Sequence, residues 1–364
     1  MYNPSAEMPV TGTVEEVQHH VSGSGRGGTR FIIARMTSIA LAPARYTAVP
    51  GISGRRMQIC HLVFRGYPMN FRVSLFTVLL VSLAALGPLM AQTTAPQIVD
   101  TLVHYNGDPA FLEKLIAKLD SVDAMGLLST TPQDLPTVLA AIKQHPRRLM
   151  CQGRLNLDDP IALDLVDLFH AAGCVGLGEI TSPLKNYDDR SYWPIYERAE
   201  KYRMILHFHT GIVNRMTPDI PSDISADRMR ATTLDGIARR FPKLTIIGAH
   251  LGNPDYAWAA ESARWNPNLY FDLSGSSLIK HQDDPTFWKS IFWWSGVVSL
   301  HTPPGTPNAF EHLVFGSDVF MGEIEEFDLE LARYHRMLDA CGVPKTAQDN
   351  IMGGTMWRIL NAQK

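Results

Sequence analysis

Residues 204–211 read MILHFHTG, a short apolar run that ends in two histidines two positions apart and then in Thr210-Gly211. Side chains alternate faces along a strand, so His207 and His209 point the same way, and the Thr-Gly pair stops the strand. Two imidazoles on one face at a strand's end mark a site. Downstream, LTIIGAHLG (244–252) places His250 at the end of a second apolar run, and HLVFGSDVF (312–320) places Asp318 at the end of a third. Three strand ends therefore carry ligand-type side chains.

Working outward from that stretch, short apolar runs alternate with amphipathic segments from residue 98 to the end of the chain. IVDTLVHY (98–105), MGLLST (125–130), RLMCQGRLN (148–156) and CVGLGEI (174–180) read as the strands before it; NLYFDLSG (268–275) follows the sixth, and HLVFGSDVF is the eighth. A helix is expected after each strand: over 108–124 with Asp108 as N-cap and Pro109 at the first position, from Thr131-Pro132 to about 145, after Asp159-Pro160, over 191–203, 225–241, 256–265, 285–298 and 325–341, with a last one over 346–361. Eight parallel strands with helical crossovers close into a (β/α)8 TIM barrel, an α/β fold; an open doubly wound sheet is the alternative. No GxGxxG turn follows the first strand, which disfavours a dinucleotide-binding version.

In such a barrel the chemistry lies at the C-terminal ends of the strands. There the sequence puts His104, Glu179, His209, His250, Asp272 and Asp318, from strands one, four, five, six, seven and eight. Imidazole and carboxylate suit a divalent ion such as zinc, and a catalytic site leaves one position open for water, which then ionises near neutral pH. Each residue also has a structural reading: a strand-end histidine can be a hydrogen-bonded structural residue, Asp318 a loop cap, and Glu179 a partner of Lys185. Their convergence on one end of the strands favours a shared site.

The chain has 364 residues, 45% hydrophobic and 19% charged, with a formal net charge of −3. Residues 1–91 hold eight basic and three acidic residues, which leaves the remainder with 25 basic and 33 acidic ones. An acidic body argues against nucleic acid as a partner and leaves a small-molecule substrate. Cys60, Cys151, Cys174 and Cys341 form no metal-binding pattern. Buried free thiols are the expectation, although Cys151 and Cys174 become neighbours if their segments are adjacent strands. Residues 1–68 show no sustained period and read as disordered or as the product of an over-extended reading frame. From Met69, the segment MNFRVSLFTVLLVSLAALGPLMA (69–91) has an early Arg72, an apolar stretch, a Gly-Pro break and Ala91, the pattern of a signal peptide. It is shorter than the roughly 20 apolar residues of a comfortable membrane span, so no stable span is expected after cleavage. The expectation is a periplasmic or secreted barrel over 92–364.

The barrel segment resembles the amidohydrolase superfamily, in particular the amidohydrolase-related group of metal-dependent hydrolases, lactonases and aromatic-acid decarboxylases. The phrases that carry the resemblance are HTG (209–211), IIGAHLG (246–252), NLYFDLSG (268–275), FGSD (315–318) and the closing IMGGTMWRIL (351–360), in which Thr355 stands where an Asn is usual. The resemblance implies that His104, Glu179, His209 and Asp318 hold a divalent metal, one zinc or manganese ion, with Asp318 as the base for the attacking water and His250 as the residue that binds a second metal or polarises the substrate. One departure stands out: the family's first strand reads Asp-x-His-x-His, and here Leu102 takes the first histidine's place. His207 is a candidate to compensate. The implied activity is hydrolysis of an ester, lactone or amide. Decarboxylation on the same site is the alternative; Leu102 also admits metal-free action or a barrel that binds without catalysing. The loops 181–190, 214–223 and 276–284 hold Lys185, Arg190, Arg215 and Lys280, any of which could take a substrate carboxylate. Trp288, Phe292, Trp293 and Trp294 cover more than one face of their helix; they pack within the barrel, against a loop, or in a homo-oligomer.

Overall fold

Seven parallel strands pair in chain order: β1 (Ile98–His104), β2 (Ala124–Thr130), β3 (Leu149–Asn156), β4 (Gly176–Thr181), β5 (Ile205–Phe208), β6 (Thr245–Gly248) and β7 (Leu269–Phe271). The computed structural model describes residues 95–363 apart from 183, 213–224, 297–300 and 321. The extension 1–68, the apolar segment 69–91 and Arg215 lie outside the described residues.

The segment expected as the eighth strand forms no regular ladder. It bridges instead to both neighbours: Val314 N–H donates to Phe271 C=O (2.9 Å) on one side, and on the other Thr101 N–H donates to Phe315 C=O (2.9 Å) and Asp318 N–H to Leu102 C=O (2.9 Å). These bonds close the sheet into a barrel. The crossovers are α1 (Pro109–Ser121), α2 (Leu135–Gln144), α3 (Ala162–Ala171), α4 (Trp193–Lys201), α5 (Ala231–Arg240), α6 (Tyr256–Trp265), α7 (Pro285–Ile291) and α8 (Glu325–Cys341). The closing helix is split into α9 (Lys345–Asp349) and α10 (Thr355–Ala362) by a wide turn over Asn350–Gly354. Asp108 caps α1 as its sequence suggests, accepting from Ala110 N–H. No helix among the described residues is long and apolar enough to cross a membrane.

Two strands carry an extra residue. Between Asp100 and Val103 β1 advances three positions while β2 advances two, and β4 bulges at Glu179 against both neighbours. A bulge interrupts alternation and re-aims a side chain, so these strands cannot be read by strict parity. The barrel interior is layered as a result. Its lower end is apolar: Val99, Met125, Leu127, Ile205, Ile247 and Val314 meet Met356 and Leu360 of α10, which plugs the opening. Burying each such side chain contributes about 1.5–3 kcal/mol.

The cysteines depart from the expected free thiols. Cys151 of β3 and Cys174, just before β4, form a disulfide with Cα atoms 4.7 Å apart; Cys341 is free and buried. The cause is registry, since Val175 N–H donates to Cys151 C=O and sets the two segments side by side. The Trp-rich helix ends earlier than expected, at Ile291. Trp288, Phe292 and Trp294 are buried, whereas Trp293 is half exposed with Arg264 over its ring.

Candidate active site

The strand-end candidates His104, Glu179, His209, His250, Asp272 and Asp318 lie at the upper end of the barrel. His104, the last residue of β1, is 5% exposed; its Nε2 is 3.1 Å from Asp318 Oδ1 and 3.7 Å from Glu179 Oε2. Glu179 sits at the centre, with Oε1 2.7 Å from His209 Nδ1 and 3.5 Å from His250 Nε2. One ligand atom from each of Glu179, His209 and His250 falls within 4.8 Å of the others. His104 and Asp318 pair beside this trio.

Local backbone explains the placement. His209 follows the last residue of β5, and Gly211 turns the chain with φ +100°; a Cβ there would meet Asn253 O at 2.0 Å. That close approach requires the glycine of HTG. Thr210 Oγ1 donates to Ala249 C=O and accepts from Gly252 N–H (2.9 Å), which ties the β5 and β6 ends together. His250 is not on a strand but in a turn after β6, where it and Leu251 adopt left-handed φ of 62° and 46°. Non-glycine residues there cost free energy that surrounding bonds must offset. Asp272, fully buried past the end of β7, supplies them: Oδ1 accepts from His250 N–H (3.0 Å) and Ser274 N–H (2.9 Å), and its carbonyl accepts from Leu251 N–H (3.0 Å). Ser274 C=O then takes the His250 Nδ1 proton (3.0 Å), so Nε2 faces Glu179. Any side chain at Gly275 would crowd that ring, a Cβ lying 2.8 Å from Nδ1. Asp318 is also left-handed, at φ 55°.

Beneath the trio lies a buried polar layer. His207 is fully buried, with Nδ1 3.1 Å from Thr101 O and Nε2 2.9 Å from Asp272 Oδ2, and Gln152 donates to the same Thr101 carbonyl (2.9 Å). His207 therefore braces Asp272 and has no ring nitrogen left for the site above. Burial raises the Asp272 carboxyl's proton affinity, but His207 and His250 outweigh it and hold it below the usual carboxylate value. Asp100, fully buried and accepting from Ser317 and Leu102 N–H, has the opposite balance: burial wins and lifts it to about 7.

The trio shows the same competition. Desolvation opposes charge on Glu179, yet His209, His250 and His104 hold it well below the usual carboxylate value. Desolvation also opposes charge on His250, yet the Glu179 bond and the Asp318, Glu179 and Asp272 carboxylates raise it to about 10. His209 is the informative member. Its Nδ1 faces the Glu179 carboxylate and donates, which leaves Nε2 as a lone pair; that atom is buried with no hydrogen-bond partner among the described residues. A buried acceptor without a donor is costly unless a cation uses it. Glu179, His209 and His250 each offer a ligand atom, and three ligands with one open position suit a mononuclear catalytic ion. The residues present thus fit a divalent cation, which would displace the proton from His250 on binding.

The three described carboxylate candidates are occupied elsewhere. Lys185 donates to Ser191 Oγ and lies over Tyr192, Arg190 lies over Trp193, and Lys280 over Tyr256. The cation that does reach the site is Arg154, whose Nη2 is 3.1 Å from His104 Nδ1. Sequence reading passed over it within RLMCQGRLN. The available signal was its register, two residues beyond Gln152 on an inward strand face.

A family model described as amidohydrolase matches residues 77–355. Solved structures show the same fold: a Staphylococcus aureus protein classed with the amidohydrolases (15% identity, 72% of this chain, 99% of that chain, TM-score 0.50) and 2,6-dihydroxybenzoate decarboxylase with 2,6-dihydroxybenzoate bound (13%, 72%, 99%, TM-score 0.50). A protein from Acinetobacter baumannii described as a 2-pyrone-4,6-dicarboxylic acid hydrolase, with citric acid bound, is similar at 13% identity over 73% of this chain and 99% of that chain, TM-score 0.48. No curated protein sequence matches.

Proposed function

The chain belongs to the amidohydrolase family, and from that premise we propose a hydrolase of an ester, lactone or amide, assisted by one divalent cation, zinc or manganese. The observation that carries the reading is the convergence of one ligand atom each from Glu179, His209 and His250 within 4.8 Å of one another. Those three residues would hold the cation, which when bound polarises a carbonyl oxygen and acidifies water. Asp318 is the base. It stands outside the trio, its side chain a quarter exposed, and Oδ1 is held by His104. Oδ2 has no hydrogen-bond partner among the described residues, so it can take the proton of the attacking water and pass it to the leaving group.

The test measures bound zinc or manganese and turnover together, in the wild type, His209→Ala and Asp318→Asn. About one equivalent is expected in the wild type and in Asp318→Asn and none in His209→Ala, with turnover of ester or lactone substrates confined to the wild type. An active Asp318→Asn would overturn the assignment of the base. Decarboxylation is the second reading, favoured by Arg154: a half-buried guanidinium with most of its donors unengaged among the described residues suits a substrate carboxylate. Carbon dioxide release without consumption of water would select it. We place the protein outside the cytoplasm, a reading supported by the apolar segment 69–91 and the Cys151–Cys174 disulfide. An N-terminus upstream of Met69 in the secreted protein would overturn Met69 as the start, and recovery of the protein only from the cytoplasm, with residues 69–91 retained, would overturn the placement.

A further inference from the structure

We propose that the lower end of the barrel carries a second ligand site, for a monocarboxylate with an aliphatic tail, in which Arg203 takes the carboxylate. This site is separate from the trio and depends on neither the cation nor the base.

The site is a cavity of about 410 Å³, a usual size for a small-molecule pocket. Its walls are the starts of the strands: Leu149 opens β3, Val175 precedes β4 and Met204 precedes β5, with Leu360 of the plugging helix α10 alongside. Much of the lining is apolar and incompletely covered. Leu139 and Ile142 of α2, Met150 and Val175 stay half-buried, although each packs against the core. Covering such surface is favourable, and the thioethers of Met150 and Met204 adapt to an irregular tail. The Cys151–Cys174 bond forms part of the wall and ties together the two segments that bear it. The aromatic members of the wall, His170 and Tyr202, are stacked on each other at 3.8 Å, so the surface offered to a tail is mainly aliphatic and thioether.

Charge selects the head. Among the described residues no acidic side chain lines the cavity, and its one permanently charged residue is Arg203, whose side chain has no hydrogen bond or ion pair there. The backbone of Arg203 is left-handed, φ 56°, two residues past the end of α4, a position that glycine usually fills. Gln363 Nε2 donates to its carbonyl (2.7 Å) and helps hold it. Arg203 and Gln363 also line an adjoining polar cavity with Lys201, Lys243, Glu197 and Glu200, so Arg203 stands at the boundary between apolar surface and polar surroundings. A guanidinium in that place suits a planar carboxylate, which it can bind through two parallel N–H···O bonds. A cationic head would be repelled by Arg203, and an uncharged one would leave it without a counter-charge. A dianionic phosphate would find a single permanent charge in the cavity, with Glu197 and Glu200 beyond it.

Isothermal titration calorimetry of the full chain decides, with hexanoate, octanoate, octan-1-ol and octylamine as probes, each below the concentration at which it aggregates. One saturable site is expected. Octanoate should bind roughly tenfold tighter than hexanoate, because each buried methylene is worth about fourfold in affinity. Octanol should bind about tenfold more weakly than octanoate, the worth of one charge-assisted contact, and octylamine not at all. Arg203→Gln should bring octanoate down to octanol's affinity and leave octanol unchanged, and Ile142→Trp should fill the cavity and abolish both. Arg154→Met and His209→Ala, at the upper end, should change neither, which separates this site from the trio. Equal affinity for octanoate and octanol, an Arg203→Gln variant that binds octanoate like the wild type, loss of binding in Arg154→Met or His209→Ala, or uptake without saturation would each overturn the proposal. So would a dimer in light scattering that Ile142→Trp dissolves, which would give the cavity to a second copy of the chain. Should Ile142→Trp not fold, Arg203→Gln and the comparison of probes decide.

Discussion

The two ends of the barrel are built from the same strands for different purposes. Along the fifth strand and the residue after it, Ile205 points into the apolar plug, His207 into the buried polar layer and His209 into the trio, three inward positions in four residues' rise. The lower end is regular and filled by Met356 and Leu360, whereas the upper end holds the bulge at Glu179 and the left-handed backbones of His250, Leu251 and Asp318. Stability is concentrated below, and strain and charge above. The comparison predicts that substitutions at the two ends fail in different ways.

The largest effects test that separation directly. Asp318→Asn should lower turnover by about 10²–10⁴-fold, roughly 3–5 kcal/mol of barrier, while leaving the melting temperature near the wild type's. Ile247→Ala, in the apolar plug, should do the reverse: it costs about 2–5 kcal/mol of stability in denaturant titrations and leaves turnover per folded molecule intact. A stability loss in Asp318→Asn as large as that of Ile247→Ala would break the comparison.

Between the ends lies Asp100, whose carboxyl is lifted from 3.8 to about 7 by burial, against its Ser317 and Leu102 bonds. Its folded value exceeds its unfolded one, so its contribution is fully present below pH ~4, lost as pH rises through about 7, and constant above. The loss amounts to about 4 kcal/mol. Asn keeps the same contacts without ionising, so the stability of Asp100→Asn relative to wild type should rise across that window and level off. A difference independent of pH would mean that the carboxyl ionises freely inside the barrel.

How much of this was legible follows from what each residue's signal was. Alternating runs gave the strands and their order, and the phrases around His209, His250 and Asp318 gave the upper end. Strict alternation then failed at β1 and β4, because a bulge is a property of two paired strands and leaves no mark in either one alone. Arg154 was invisible for a related reason: one arginine in a strand is ordinary until the register sets it against His104. The Cys151–Cys174 bond likewise depends on registry, since 23 intervening positions say nothing of the 4.7 Å between Cα atoms.

That disulfide sharpens the account of the lower end. It joins the third residue of β3 to a residue two positions before β4 and closes a loop of sequence separation 23, worth about 3 kcal/mol in the chain-entropy view. Cys151→Ser with Cys174→Ser should therefore lower the denaturation midpoint while zinc content and turnover stay at wild-type levels. Loss of bound zinc in that variant would show that the upper end depends on the lower for its geometry.

The smallest effect on stability is expected from an exposed ring at the upper end, Phe320. Phe320 is 46% exposed and touches the edge of His104, whereas Phe271 at the end of β7 and Phe315, five residues earlier in the same segment, are buried. An apolar ring half in water contributes little to folding, so Phe320→Ala should change stability by no more than about 0.5–1 kcal/mol. Its cost should appear instead in KM, since a ring beside the base and the His104 pair is placed to meet the substrate. Paired denaturant titration and kinetics decide the matter. A stability loss approaching that of Ile247→Ala, with KM unchanged, would make Phe320 part of the fold and move the boundary between the two ends upward past the catalytic layer.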